Sequence, residues 1–164
     1  MNGWARFALF ALLLFPLAWL GLDRWHALLV PAVSWGVGAL GIPFEVQTLD
    51  LLAPYDLAFF VAMVLATTRA PRAERALALL VGVPALVAAE VAFATLATWM
   101  FLRGEMGHPL PAALLGVRNG VAASFPWVAP PLAWAALLGR HAGALAGVPG
   151  PAAPGGKRAW RAKE

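Results

Sequence analysis

Long apolar runs, separated by short segments that carry most of the charged residues, make up this chain. Four of the runs contain one charged residue or none, and they cover about residues 7–22, 51–68, 76–102 and 120–139. An α-helix rises about 1.5 Å per residue, so a hydrocarbon core about 30 Å thick needs roughly 20 apolar residues. The pattern predicts an all-α, polytopic membrane helical bundle with four transmembrane helices.

The first run, residues 7–22, is short for a membrane span at about 24 Å. Trp4 and Trp19 extend it towards the two interfaces, where indole rings prefer to lie. No small-x-small cleavage site precedes the charged pair Asp23-Arg24, which argues against a signal peptide. An uncleaved first helix is therefore predicted.

A fifth apolar run, residues 25–44, is rich in glycine and proline, and the distribution of basic residues decides its status. With four spans and a cytoplasmic N-terminus, nine basic residues lie inside: Arg6, Arg69, Arg72, Arg75, Arg140, Lys157, Arg158, Arg161 and Lys163. Three lie outside: Arg24, Arg103 and Arg118. A span at 25–44 would move the most basic short loop outside. We therefore predict an interfacial or re-entrant segment at the outer face, with five spans as the alternative.

The composition agrees with this class. Hydrophobic residues make up 62% of the chain and charged residues 12%, against roughly 25% charged residues in a soluble domain. The absence of cysteine excludes a disulfide, a thiolate nucleophile and a Cys-ligated metal. Residues 1–139 are predicted to form the membrane domain, and residues 140–164 a basic, disordered cytoplasmic tail. That tail has little aromatic interleaving, so no nucleic acid is expected as a partner.

Two carboxyl groups lie inside predicted spans and are the sharpest candidates for chemistry. An ionisable group within a membrane costs about 2.5–3.5 kcal/mol on insertion scales and is usually paired or functional. Asp56 also fits the first turn of a helix, where a carboxylate suits the helix dipole. Glu90 lies near the middle of its run. We expect it to face the bundle near polar groups of the third or last span. It is either protonated or paired with an arginine of another helix, or it acts as a proton-carrying or catalytic carboxylate.

Three further residues are candidates because the predicted topology places them near the outer face with Asp56: His108, Arg118 and Ser124. A serine hydrolase would need Ser124 beside a base and a third, orienting group. No nucleophile elbow, phosphate-binding loop or metal-ligand spacing accompanies these residues. Neither a metal nor a cofactor is therefore predicted.

One stretch, Leu28 to Val46, resembles the apolar segment ahead of the catalytic helix in exosortase/archaeosortase-type membrane proteins. In that family a helix that starts with the catalytic cysteine follows, and then an Arg-containing loop. Here Ala58 to Leu65 and Arg69–Arg75 take the corresponding places, so the resemblance covers roughly residues 25–100. Tyr55-Asp56 stand near the expected place of the missing cysteine. The resemblance implies a catalytically inactive relative or an exosortase-associated membrane protein.

The predicted function is that of an accessory or scaffold protein of the bacterial inner (cytoplasmic) membrane, linked to exosortase-type protein sorting. Both termini are predicted to be cytoplasmic. Membrane lipid and a membrane-protein partner or oligomer are the expected contacts. One alternative is an intramembrane enzyme of peptidase or transferase type that uses Asp56 or Glu90. The other is a small transporter subunit, which would need to oligomerise to enclose a pathway.

Overall fold

Five α-helices and a short 3-10 helix form the part of the chain that the structure, a computed structural model, describes: residues 3–44, 55–107 and 111–144. The helices are α1 (Gly3–Leu20), α2 (Leu22–Ala39), α3 (Tyr55–Ala66), α4 (Arg72–Glu105) and α5 (Ala112–Leu138), followed by the 3-10 helix Gly139–Ala144. No strand occurs in these ranges. The prediction of an all-α protein is confirmed.

A bundle of four helical segments contains the larger of two apolar clusters. Arg6 Nη1 donates to Thr68 Oγ1 at 2.6 Å, so α1 begins where α3 ends and the two helices are antiparallel. Phe93 stacks on Phe125 with ring centroids 6.2 Å apart, and α5 runs antiparallel to α4. The buried members of the cluster are Phe60, Val64, Ala66, Ala70, Ala78, Leu86, Trp134 and Leu138.

The second apolar cluster lies between α2 and the second half of α4. Leu29, Val33 and Val37 recur at every fourth position of α2 and are buried against α4, where Ala94 belongs to the same cluster. This spacing places the three side chains on one helix face. The segment predicted at residues 25–44 is thus largely a regular helix packed on α4, and α4 joins the two clusters.

Two glycines permit close contact between helices. A Cβ on Gly36 of α2 would lie 2.7 Å from Thr95 Oγ1 of α4, nearer than real Cβ atoms come to such atoms. A Cβ on Gly82 of α4 would overlap the ring of Phe60 of α3. The helices can approach this closely because neither residue has a side chain. A larger residue at either position requires the neighbouring atoms to move.

The helix α5 bends by 51° between its halves, Ala112–Val121 and Ala123–His141. A proline ring clashes with the carbonyl of the residue four positions earlier and removes one helical hydrogen bond. For Pro126 that residue is Ala122, which lies at the bend. The proline therefore accounts for the position of the bend, and the helix continues beyond it to Leu138.

The helix lengths support two or three membrane-spanning helices, whereas the sequence predicts four. Among the described helices, α1 and α4 are long and apolar enough to cross a membrane, and α5 is a third if its two halves count as one span. The helix α3, in the predicted span 51–68, has 12 residues and is a shorter apolar helix. The apolar helices are compatible with a membrane location.

The helix ends differ from the predicted span limits. An apolar run marks only the part of a helix that fits the hydrocarbon core, and the helix can continue beyond it. The helix α4 extends beyond 76–102 at both ends, through charged residues such as Glu74. The prediction of a disordered tail from residue 140 is wrong for its first residues. Gly139–Ala144 form a 3-10 helix. Residues 145–164 lie outside the described part of the chain.

Candidate functional site

The two candidate carboxyl groups meet at the contact between α3 and α4. Asp56 is the second residue of α3, and Glu90 lies near the middle of α4. Each side chain is about 1% exposed, and the Asp56 carboxyl lies within hydrogen-bonding reach of Glu90. Glu90 therefore faces the bundle, as expected, but its neighbour from another helix is an acid and not the expected arginine.

Backbone and indole groups complete the surroundings of this pair. The backbone N–H of Leu57 donates to Asp56 Oδ1 at 2.7 Å, as suits a carboxyl group in a first helical turn. The indole of Trp25, from α2, approaches Glu90, although its Nε1 does not complete a well-formed hydrogen bond. Three helices therefore contribute to the site. The sequence does not predict that Trp25 lies beside Glu90, because this depends on how α2 packs against α4.

Two oxygens of the pair, Asp56 Oδ2 and Glu90 Oε2, are buried and accept no hydrogen bond from the N–H and O–H donors of the described residues. Two ionised carboxylates side by side in an apolar interior repel each other and lose their hydration. A proton held between them removes both costs, because one carboxyl group then donates to the other. One proton shared by the pair therefore suits this environment better than two ionised carboxylates do.

The other candidates are not brought to this pair. Arg118 Nε donates to Asn119 Oδ1 at 3.2 Å, and Ser124 Oγ donates to Gly120 O at 2.8 Å, so both contacts stay within α5. The hydrogen bonds among the described residues link neither side chain to Asp56 or Glu90. His108 lies outside the described residues. The constellation proposed for a hydrolase is therefore not assembled from Ser124 and the carboxyl groups.

Metal ligation finds no support among the described residues. Their histidines and acids form no group of three or more that could hold a metal ion. The indole N–H of Trp25, beside the carboxyl pair, donates hydrogen bonds and does not ligate a cation.

A second polar link, missed in the sequence, ties α3 to α5. Trp134 Nε1 donates to Thr67 Oγ1 at 2.9 Å, and the Thr67 hydroxyl donates to Met63 O at 2.7 Å. Thr67 is fully buried and Trp134 is 7% exposed, so each polar group needs this partner. The link joins the residue that follows α3 to α5.

A charged cluster at the other end of the bundle ties α4 to the 3-10 helix. Arg140 Nη2 lies 2.6 Å from Glu74 Oε1, and His141 Nε2 lies 2.8 Å from Glu74 Oε2. Glu74 precedes the apolar run of α4. The hydrogen bonds from Arg140 and then from His141 lower the pKa of Glu74 below its ordinary value. Both basic residues belong to the segment predicted to be a disordered tail.

An aromatic cleft of about 380 Å³ opens between α1, α3 and α5. Its lining residues are Phe15, Tyr55, Phe59, Pro126 and Trp127. The rings of Phe15 and Tyr55 stack with centroids 5.8 Å apart. Asp56 and Glu90 do not line this cleft, although Tyr55 is next to Asp56 in the chain. The carboxyl pair is thus separate from this cleft.

No protein family, curated protein or solved structure was found to match this chain.

Proposed function

We propose that this chain is an integral membrane accessory or scaffold protein that assembles with another membrane protein or with copies of itself. The observation that carries the proposal is that buried polar groups pair with each other between helices. Asp56 pairs with Glu90 and Thr67 with Trp134, each across two helices and each buried. Such pairs hold helices in register. A catalytic group, by contrast, needs access to a substrate.

One observation favours a second candidate, an intramembrane enzyme or proton carrier. Asp56 and Glu90 lie together on neighbouring helices, and paired carboxyl groups are a common acid and base in hydrolysis. The pair is sealed at about 1% exposure, and the aromatic cleft does not reach it. We therefore place this candidate second. A small transporter subunit has no comparable observation in its favour.

We further propose that the protein serves exosortase-type protein sorting at the outer face of the bacterial inner membrane. The resemblance of residues 25–100 to that family supports this, and the absence of cysteine fits an accessory protein better than a transpeptidase. The proposal includes four spans, both termini in the cytoplasm and α2 at the outer face. The asymmetry of nine basic residues against three supports this orientation.

Cysteine labelling of cells is expected to confirm this orientation. The chain has no native cysteine, so single cysteines can be introduced directly at Ala73, in the first turn of α4, and at Gln47. A membrane-impermeant maleimide should label Gln47→Cys in intact cells and Ala73→Cys only after permeabilisation. Labelling of Ala73→Cys in intact cells, with Gln47→Cys protected, contradicts the four-span arrangement.

Conservative substitution of the carboxyl pair separates the accessory protein from the enzyme. Asp56→Asn and Glu90→Gln keep shape and hydrogen-bonding capacity but remove the titratable group. An accessory protein should restore a deletion strain to near the wild-type phenotype with either variant, at normal abundance in the membrane. Asp23→Asn, on the exposed side of α2, is the matched control. Complete loss of function at normal abundance and partner recovery, for Asp56→Asn or Glu90→Gln alone, favours the enzyme.

A further inference from the structure

We propose that Asp56 and Glu90 form a proton-binding site whose occupancy keeps water out of the contact between α2, α3 and α4. The site joins the two apolar clusters of the protein, because Glu90 lies between Leu86 of the first cluster and Ala94 of the second, one helical turn from each. This proposal does not depend on the accessory function. It concerns what holds the helices together.

The burial of both carboxyl groups favours a shared proton. Each carboxyl group has one buried oxygen, Asp56 Oδ2 and Glu90 Oε2, that accepts nothing from the N–H and O–H donors of the described residues. The two carboxyl groups are within hydrogen-bonding reach of each other. A hydrogen bond between two carboxyl groups exists only if one of them carries a proton, since ionised carboxylates are acceptors alone.

The described residues form no ion pair with either carboxyl group. From α3 the pair is faced by Asp56 itself, and from α2 by the uncharged indole of Trp25. Along α4, residues 86–94 contain no charged residue besides Glu90. Arg118 of α5 bonds to its neighbour Asn119. The described residues therefore do not compensate a second negative charge in this position, and a buried uncompensated charge strongly destabilises its surroundings.

Release of the proton follows from these contacts. The O–H bond of one carboxyl group breaks, and the proton passes to water that reaches the pair. The two carboxylates then repel each other and become hydrated, which separates α3 from α4. The Trp25 indole, whose Nε1 completes no hydrogen bond with the described residues, offers only an N–H donor. It therefore does not take up the proton.

A cysteine at Ala94 reports this hydration. Ala94 is 3% exposed and lies four residues after Glu90, on the same face of α4. Met106→Cys, at the exposed end of α4, gives the intrinsic rise of thiol reactivity with pH. Reaction of purified full-length protein with a small maleimide should give an Ala94→Cys to Met106→Cys rate ratio that rises with pH. The limiting slope for one released proton is about tenfold per pH unit.

In the Glu90→Gln background the same ratio should stay constant, because an amide keeps the hydrogen bond and has no proton to lose in this range. A constant ratio in the otherwise wild-type protein overturns the proposal, as does an equal rise in the Glu90→Gln background. Infrared spectroscopy provides the independent measurement. The wild type should show a protonated-carboxyl C=O band at neutral pH that both Asp56→Asn and Glu90→Gln remove. Absence of that band from the wild type also overturns the proposal.

Discussion

Replacing Gly82 by alanine is expected to lower the free energy of unfolding by about 1–3 kcal/mol, the usual cost of forcing extra atoms into a packed core. The added Cβ would overlap Cζ and Cε1 of Phe60, whose ring is fully buried, with Leu137 of α5 close by. Neither the ring nor α4 can yield without moving a neighbouring helix. Titration with SDS in mixed micelles measures the change.

The matched control is Gly104→Ala, at the far end of the same helix, where a Cβ meets nothing within 4 Å. Alanine is the better helix former by about 0.5–1 kcal/mol, so this variant should be as stable as the wild type or more stable. The two glycine substitutions are thus expected to change the free energy of unfolding in opposite directions, although each adds the same methyl group. Equal effects at Gly82 and Gly104 contradict the described contact between α3 and α4.

A second substitution tests which atoms clash. Phe60→Leu removes the outer ring atoms that a Cβ on Gly82 would meet. Alone, this variant should be destabilised because it leaves a cavity. Combined with Gly82→Ala, it should cost less than the sum of the two single changes, since the new methyl group fills part of that cavity. Additive effects would mean that the two residues do not touch.

The sequence predicts the helical class because charged residues in this chain are rare and grouped. Uncharged runs long enough to cross a membrane point to helices, and an isolated acid such as Glu90 in the middle of a run must point inwards. Both conclusions need only local sequence and the properties of lipid. The same reasoning predicts that Asp56 lies in a first helical turn, which the hydrogen bond from the Leu57 N–H confirms.

The partners of these residues could not be predicted in the same way. In a soluble helix the polar face identifies the solvent side, whereas in an apolar helix both the lipid face and the core face are hydrophobic. The hydropathy pattern therefore does not predict how α3 is rotated against α4. For the same reason it does not predict that Asp56 and Glu90 lie together. The same holds for Trp25. The link between Glu74 and Arg140 was hidden because composition alone assigned Arg140 to the tail.

Loss of one member of the carboxyl pair is expected to cost more than loss of both. Asp56→Val should lower the free energy of unfolding by about 1–3 kcal/mol, because it leaves the buried Glu90 without the group that shares its proton. Glu90→Met, which keeps a similar volume, should do the same to Asp56. Each single variant leaves a buried polar group unsatisfied, and the surrounding apolar side chains offer no substitute.

The double variant Asp56→Val/Glu90→Met removes both polar groups and replaces them with apolar ones. Exchange of a complete buried polar pair for well-packed hydrophobic residues is often neutral or stabilising. We therefore expect the double variant to be at least as stable as either single one, which corresponds to a coupling energy of about 1–3 kcal/mol in a double-mutant cycle. The cycle is measured by the same SDS titration at neutral pH.

Thr67→Val is the comparison outside the pair. Thr67 bonds to Trp134 and not to Glu90, so the effect of Thr67→Val on the free energy of unfolding should add to that of Glu90→Met. Additivity between Asp56→Val and Glu90→Met would instead show that the two carboxyl groups do not share a hydrogen bond.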